Sequence, residues 1–153
     1  THLLFELGDE GLLARHVQEL PEVAGAALDL FDLGADLCRP DMTKDAEAPY
    51  PVLRMTDTQV DRLEQEIDAM NADIAPLRSF VLPGGTALAA HLHICRTVSR
   101  RAERMVVELA TMESVNPAAV KYLNRLSDWF FQASRVANDN GAADVLWVPG
   151  ANR

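Results

Sequence analysis

The sequence predicts an all-α fold, an up-and-down bundle of antiparallel helices with a short extended C-terminal tail. Three observations predict it. Apolar residues recur at helical spacing: Val60, Leu63, Ile67, Met70 and Ile74 stand at i, i+3, i+7, i+10 and i+14. Helix starts are signalled at Thr56, Thr86 and Asn116-Pro117, and stops at Pro76 and Gly141. The connections between these runs are short, which makes consecutive helices antiparallel neighbours.

The elements follow in order. Residues His2 to about Leu20 are apolar with interruptions at Gly8 and Gly11, and they read as a first helix. Pro21 fits the N1 position of a second, running to about Leu37 with Leu28, Phe31 and Ala35 on one side. Residues 39–51 hold three prolines and five charges and read as an exposed, mobile loop. Thr56 with Gln59 forms a capping box for the next helix, which Pro76 stops. Pro83-Gly84-Gly85-Thr86 is a turn, with Thr86 capping a helix to about Thr111. On that helix Leu88, Leu92, Cys95, Ser99, Ala102, Val106 and Leu109 repeat in steps of four and three, a bundle seam with a small-residue middle. Asn116-Pro117 opens the last helix, to about Asn138. The tail Asp144–Pro149 carries Val145, Leu146, Trp147 and Val148, and reads as a docked extended segment.

At 153 residues and 48% hydrophobic content the chain forms one domain, residues 1–153, with a real core. No apolar stretch approaches the ~20 residues of a membrane span. The sequence begins at Thr1 without a methionine, so a preceding segment, with any targeting signal, is expected. Cys38 and Cys95 read as reduced, buried thiols, in keeping with a cytoplasmic protein. Fourteen basic against 23 acidic residues give a net charge of −9, which excludes nucleic-acid binding by the chain as a whole. There is no internal repeat and no low-complexity tract.

Against that acidic background, Arg96, Arg100, Arg101 and Arg104 fall within nine residues. At ~100° per residue, His93, Arg96, Arg100 and Glu103 share an arc of about 80° beside the apolar seam. Guanidinium groups flanking a core need carboxylates, water or an anionic ligand. Arginine suits the last, because its planar fork binds two phosphate oxygens at once; a solvated face with surface ion pairs is the other reading. Asn124 and Asp128 stand together on the last helix, and Asn124 within an apolar run wants a defined partner. Phe80 is either a core aromatic or the wall of a ligand site. His91 and His93 point to different sides, so no metal site is assigned to protein side chains. Leu7-Gly8-Asp9-Glu10-Gly11 has neither the preceding strand nor the lysine of a phosphate loop.

Four segments together resemble the PduO-type corrinoid adenosyltransferases: Phe31–Leu37, Ser79–Thr86, Arg96–Arg104 and Tyr122–Asp128, in order and at matching spacings. The resemblance runs from about Leu28 to the C-terminus. It implies a five-helix bundle that assembles as a homotrimer with active sites between subunits. It further implies transfer of the 5′-deoxyadenosyl group of ATP to cob(I)alamin, with release of triphosphate and a requirement for Mg2+. A reductase and an adenosylcobalamin-dependent enzyme are the implied partners. Residue by residue, Arg100, Arg101, Glu103 and Arg104 match the ATP-contacting stretch, Arg100 facing the polyphosphate, and Asn124 matches a nucleotide contact. Arg96 matches the arginine that pairs with an acid of the adjacent subunit. Phe80 matches the phenylalanine beside the lower face of the cobalamin. The catalytic set is therefore Arg96, Arg100 and Phe80. Two family features are absent from the sequence: the T-x-T-G-D-x-G phosphate loop and the valine-aspartate-glutamate segment that would partner Arg96. Their absence leaves a non-catalytic cobalamin carrier or regulator of the same fold as the alternative, and a ligand-free helical oligomer as a third reading.

Overall fold

Apolar-faced runs become four α-helices in the computed structural model, which describes residues 21–39, 41–151 and 153. They are α1 Pro21–Leu37, α2 Asp57–Ala72, α3 Ala87–Leu109 and α4 Pro117–Ala137. The expected helix over 2–20 lies outside the described residues. A 3-10 helix, Met42–Glu47, sits between α1 and α2. The fold is all-α: among the described residues no strand forms, only one antiparallel bridge, Val81 to Leu146.

The centre of the bundle is α4, which packs against α1, α2 and α3. It buries Ala119, Tyr122, Leu123, Leu126, Trp129 and Phe130, and meets Val60 and Leu63 of α2 and Leu92 and Val106 of α3. Full burial of an aliphatic side chain such as Leu63 or Leu126 contributes about 1.5–3 kcal/mol. The seam of α3 faces inward along its length, Leu92, Ser99 and Val106 buried and Leu88, Cys95, Ala102 and Leu109 half-buried. Caps close the helix starts. Gln59 Oε1 accepts from the Thr56 N–H at 2.9 Å, Thr86 Oγ1 from Ala89 at 3.1 Å, and Asn116 Oδ1 from Ala118 at 3.0 Å.

Buried polar networks hold both ends of α4, about 30 Å apart at 1.5 Å rise per residue. At its N-terminus, Asn116 Nδ2 donates to Asp36 Oδ2 at 2.7 Å and to the Met55 carbonyl at 2.9 Å. Asp36, 2% exposed, also receives the Met55 N–H and the Arg54 guanidinium. Arg54 continues to Asp45 at 2.8 Å, so one cation ties α1, the 3-10 helix and the entry to α2 together. Hydrogen bonding from Arg54, joined by Arg39, holds the Asp45 carboxyl below the usual carboxylate range. At the C-terminus of α4, Arg135, Asn138 and Asp144 form a second network.

Three readings of the sequence change. The side of α1 bearing Leu28, Phe31 and Ala35 faces outward, Leu28 at 70% and Phe31 at 77% exposure, while Ala26, Asp29, Leu33 and Asp36 face in. Acids turn inward because basic partners reach them: Arg62 meets Asp29 at 2.6 Å, and Arg54 meets Asp36. The segment 39–51, read as a loop, contains the 3-10 helix, whose Asp45 bonds to Arg39 and Arg54. Cys38 lies just past the end of α1 and is exposed, whereas Cys95 is half-buried and both thiols are free.

Candidate functional site

The polar stripe of α3 forms beside the seam because its spacing keeps one face in register over three turns. His93 is buried at 2% exposure and Glu103 at 9%. Glu103 joins two other sequence candidates. One carboxylate oxygen takes the Arg100 guanidinium one turn earlier, and the other accepts from Asn124 Nδ2 on α4 at 2.8 Å. Asn124 Oδ1 in turn accepts from Arg125 at 2.6 Å, and Arg125 pairs with Asp128 at 3.3 Å. The result is a fixed acid with an arginine fork held at its rim. Arg101 and Arg104 are exposed and stand outside this network.

Arg96 lies one turn before Arg100 and takes a different partner. Its guanidinium sits 4.8 Å from the centroid of the Phe131 ring, a cation–π contact. Phe131 also meets the His93 ring edge-on at 6.3 Å. His93 Nε2 has no hydrogen-bond partner among the described residues. Burial pushes the His93 pKa down, the neighbouring Arg96 charge pushes it further, and Asp144 opposes both. The imidazole is therefore neutral at neutral pH.

Arg96 and Phe131 line an open cavity of about 390 Å3 with Leu77, Arg78, Ser79, Phe80 and Val81. Phe80 stands at its edge, 75% exposed, so it is not a core aromatic. Its ring meets Trp147 at 5.8 Å between centroids, edge to face. The tail is docked as an extended segment: the Leu82 N–H donates to the Val145 carbonyl at 2.7 Å and the Trp147 N–H to the Phe80 carbonyl at 2.8 Å. Ser79 Oγ adds a bond to the Trp147 carbonyl at 2.7 Å.

The structure thus gathers Arg100, Glu103 and Asn124 into one network and places Arg96 and Phe80 on a shared cavity. Sequence reasoning missed Phe131 and Trp147. Phe131 stands seven residues after Asn124, two helical turns along α4, a spacing that could have placed it on the same face. Trp147 sits in a tail whose pairing partner the sequence does not reveal. Among the described residues no group of three or more His, Cys, Asp or Glu side chains is placed to hold a metal. No helix among them is long and apolar enough to cross a membrane.

A helical bundle carrying an arginine–glutamate–asparagine cluster beside an aromatic-walled cavity defines a class, and comparison with known proteins identifies it. Residues 11–137 match the model of the cobalamin adenosyltransferase family, and the chain belongs to that family. A corrinoid adenosyltransferase of Mycobacterium leprae is 51% identical over 126 residues, covering 80% of this chain and 64% of the relative. A cobalamin adenosyltransferase of Cupriavidus metallidurans is 44% identical over 153 residues, 92% of this chain and 78% of that one. In three dimensions the chain is similar to a phenylalanine-to-histidine variant of the PduO-type ATP:corrinoid adenosyltransferase of Lactobacillus reuteri, complexed with cobalamin and ATP. The TM-score is 0.76 at 36% identity, covering 88% of this chain and 71% of that one. The chain spans just under two thirds of the length of the mycobacterial relatives it matches.

Proposed function

We propose that this chain transfers the 5′-deoxyadenosyl group of ATP to cob(I)alamin. The observation that carries the proposal is the Arg100–Glu103–Asn124 cluster, one turn along α3 from the cavity that Arg96 and Phe80 share. Co(I) is itself the nucleophile: its electron pair attacks C5′ of ATP, the cobalt–carbon bond forms, the C5′–O bond breaks, and triphosphate leaves with the bonding pair. The protein has to hold C5′ in line, neutralise the leaving group and keep the lower axial side of the corrin empty. Arg100 binds the polyphosphate, with Glu103 fixing its fork. Arg101 and Arg104 add positive charge along the same helix, and Asn124 contacts the nucleotide. Phe80 presents an apolar ring to the lower face of the corrin, excluding water and ligand. Arg96 shapes the site from the cavity wall.

Both oxygens of Glu103 are already engaged, so the cluster offers Mg2+ no free carboxylate. If Mg2+ is bound with ATP, it would help neutralise the charge of the leaving triphosphate beside Arg100. The functional unit is a homotrimer with active sites between subunits. Supporting this, α1 exposes Leu28 and Phe31, and α3 exposes Ile94, Val98 and Met105 along a second stripe. The setting is cytoplasmic, with a reductase supplying Co(I) and an adenosylcobalamin-dependent enzyme receiving the product.

The test is an anaerobic assay of the protein with ATP, Mg2+ and chemically reduced cob(I)alamin, following the absorbance change as the alkyl–cobalt bond forms. Turnover in the wild type, with kcat at least ~100-fold lower in Arg100→Ala, is the expected result. Cobalamin binding without turnover would overturn the proposal in favour of a carrier.

A further inference from the structure

With 75% of its surface exposed, the Phe80 ring is not held in place by core packing. Its backbone holds it, through two segments. On one side the tail pairs with it, Trp147 N–H to the Phe80 carbonyl and Leu82 N–H to the Val145 carbonyl. On the other side lies the Pro83–Thr86 turn. Both segments converge on one fully buried side chain at the end of α4, Asn138.

Asn138 Oδ1 accepts from the Thr86 N–H at 2.9 Å. Its Nδ2 donates to the Gly84 carbonyl at 3.1 Å and to Asp144 Oδ1 at 3.2 Å. Gly85, at φ 96°, passes so close that an added Cβ would lie 2.2 Å from Asn138 Oδ1. Asp144 begins the tail, and its other oxygen takes Arg135 Nε at 2.9 Å, both side chains buried. Arg135 reaches on to the Ala75 carbonyl at 3.0 Å. One amide thereby joins helix, turn and tail, and every polar atom of the Asn138 side chain is used. None of these groups reaches the cavity that Arg96 and Phe80 line.

We infer that Asn138 and Asp144 are positioning residues that set where the Phe80 ring stands, by clamping the Pro83–Thr86 turn and the tail to the end of α4. The inference rests on the proposed role of Phe80 as the wall of the corrinoid site. A charged pair alone would tie the tail, and a backbone turn alone would tie the loop. The asparagine couples them, so that the Phe80 backbone cannot shift without breaking buried hydrogen bonds.

The test compares wild type, Asn138→Ala and Asp144→Asn, with Val60→Ala as a core variant remote from the clamp. Amide hydrogen exchange is read at Leu82 and Trp147, and KM for cob(I)alamin and for ATP is read separately. In Asn138→Ala, exchange at both amides is expected to rise about tenfold or more while the amides of α2 keep their protection. KM for cob(I)alamin is expected to rise about tenfold with KM for ATP unchanged, a split that Val60→Ala does not produce. Unchanged exchange at Leu82 and Trp147, or both KM values rising together, would overturn the inference. If Asn138→Ala fails to fold, Asp144→Asn, which keeps the shape and weakens the tie to Arg135, decides by the same two readings. Absence of adenosyl transfer in the wild type would overturn the function proposal, and the exchange data alone would then decide the clamp.

Discussion

Asn124 on α4 donates a 2.8 Å hydrogen bond to Glu103 on α3, whose other oxygen holds Arg100. The arginine at the rim of the site is therefore aimed by a residue on a different helix. Glu103→Gln keeps the size and an acceptor for Asn124 but removes the charge facing Arg100. The Arg100 side chain is 46% exposed, so solvent screening limits the effect to about 1 kcal/mol, roughly fivefold in KM for ATP. Steady-state kinetics at saturating cob(I)alamin measure it, and an unchanged KM would show that Arg100 does not need Glu103.

Phe80→Ala separates catalysis from folding. The ring is mostly exposed and its main contact is Trp147, so the melting temperature is expected to move by only a few degrees. On the proposed role of Phe80 beside the lower face of the corrin, adenosyl transfer is expected to fall at least ~10-fold. A calorimetric scan beside the anaerobic assay distinguishes this from general destabilisation, in which both readings would fall together.

Asp36→Ala is expected to be the costliest single change at the far end of the bundle. It removes the acceptor of the buried Met55 N–H and one partner each of Arg54, which keeps Asp45, and of Asn116, which keeps the Met55 carbonyl. Leaving the Met55 N–H without an acceptor costs about 1–3 kcal/mol, while Asp45 continues to compensate Arg54. Urea unfolding would show a lower midpoint with unchanged slope. A loss below ~1 kcal/mol would mean that water replaces the carboxylate there.

Stability should fall as pH drops below the ordinary histidine value, 6.5, and His93 is one cause. Its folded pKa is depressed, so between 6.5 and that lower value the unfolded chain binds a proton that the native chain does not. Above 6.5 both states are neutral and His93 contributes no pH dependence. Asp45, also depressed, acts in a separate window, below the ordinary aspartate value of 3.8. His93→Leu is expected to flatten the fall just below pH 6.5 and to leave the acid limb unchanged. Denaturation midpoints across that range would check it, and an unaltered slope would assign the effect elsewhere.

Much of this architecture was legible in local chemistry. Thr86, Gln59 and Asn116-Pro117 act within one helical turn, so their caps can be read without knowing the fold. The α3 seam and the stripe from His93 to Glu103 follow from spacing alone. The outward face of α1 was not legible, because periodicity finds the apolar stripe formed by Leu28 and Phe31 but not the side on which partners lie. Asp29 and Asp36 turn inward only because Arg62 and Arg54, far along the chain, come to meet them. The 3-10 helix escaped for a similar reason: its charges neutralise one another through Arg39, Asp45 and Arg54, and no pattern marks such pairing in advance. At the site, Arg100 and Glu103 were readable as one stripe and Asn124 as a residue wanting a partner, but not the bond that joins them. Phe131, Asn138 and Trp147 were not, since their meaning depends on which segments cross α4 and the Phe80 turn.

The chain contains two tryptophans, and the fold gives them opposite surroundings. Trp129 is 2% exposed with its indole N–H bonded to Glu66 at 2.7 Å, deep in the bundle. Trp147 is 45% exposed and lies against Phe80. Their fluorescence should therefore divide by function. A ligand settling on the Phe80 ring would change the surroundings of Trp147 directly, while the surroundings of Trp129 change chiefly when the bundle melts. The protein carries two native optical reporters, one at the Phe80 edge of the cavity and one in its core, and either can be followed without attaching a label.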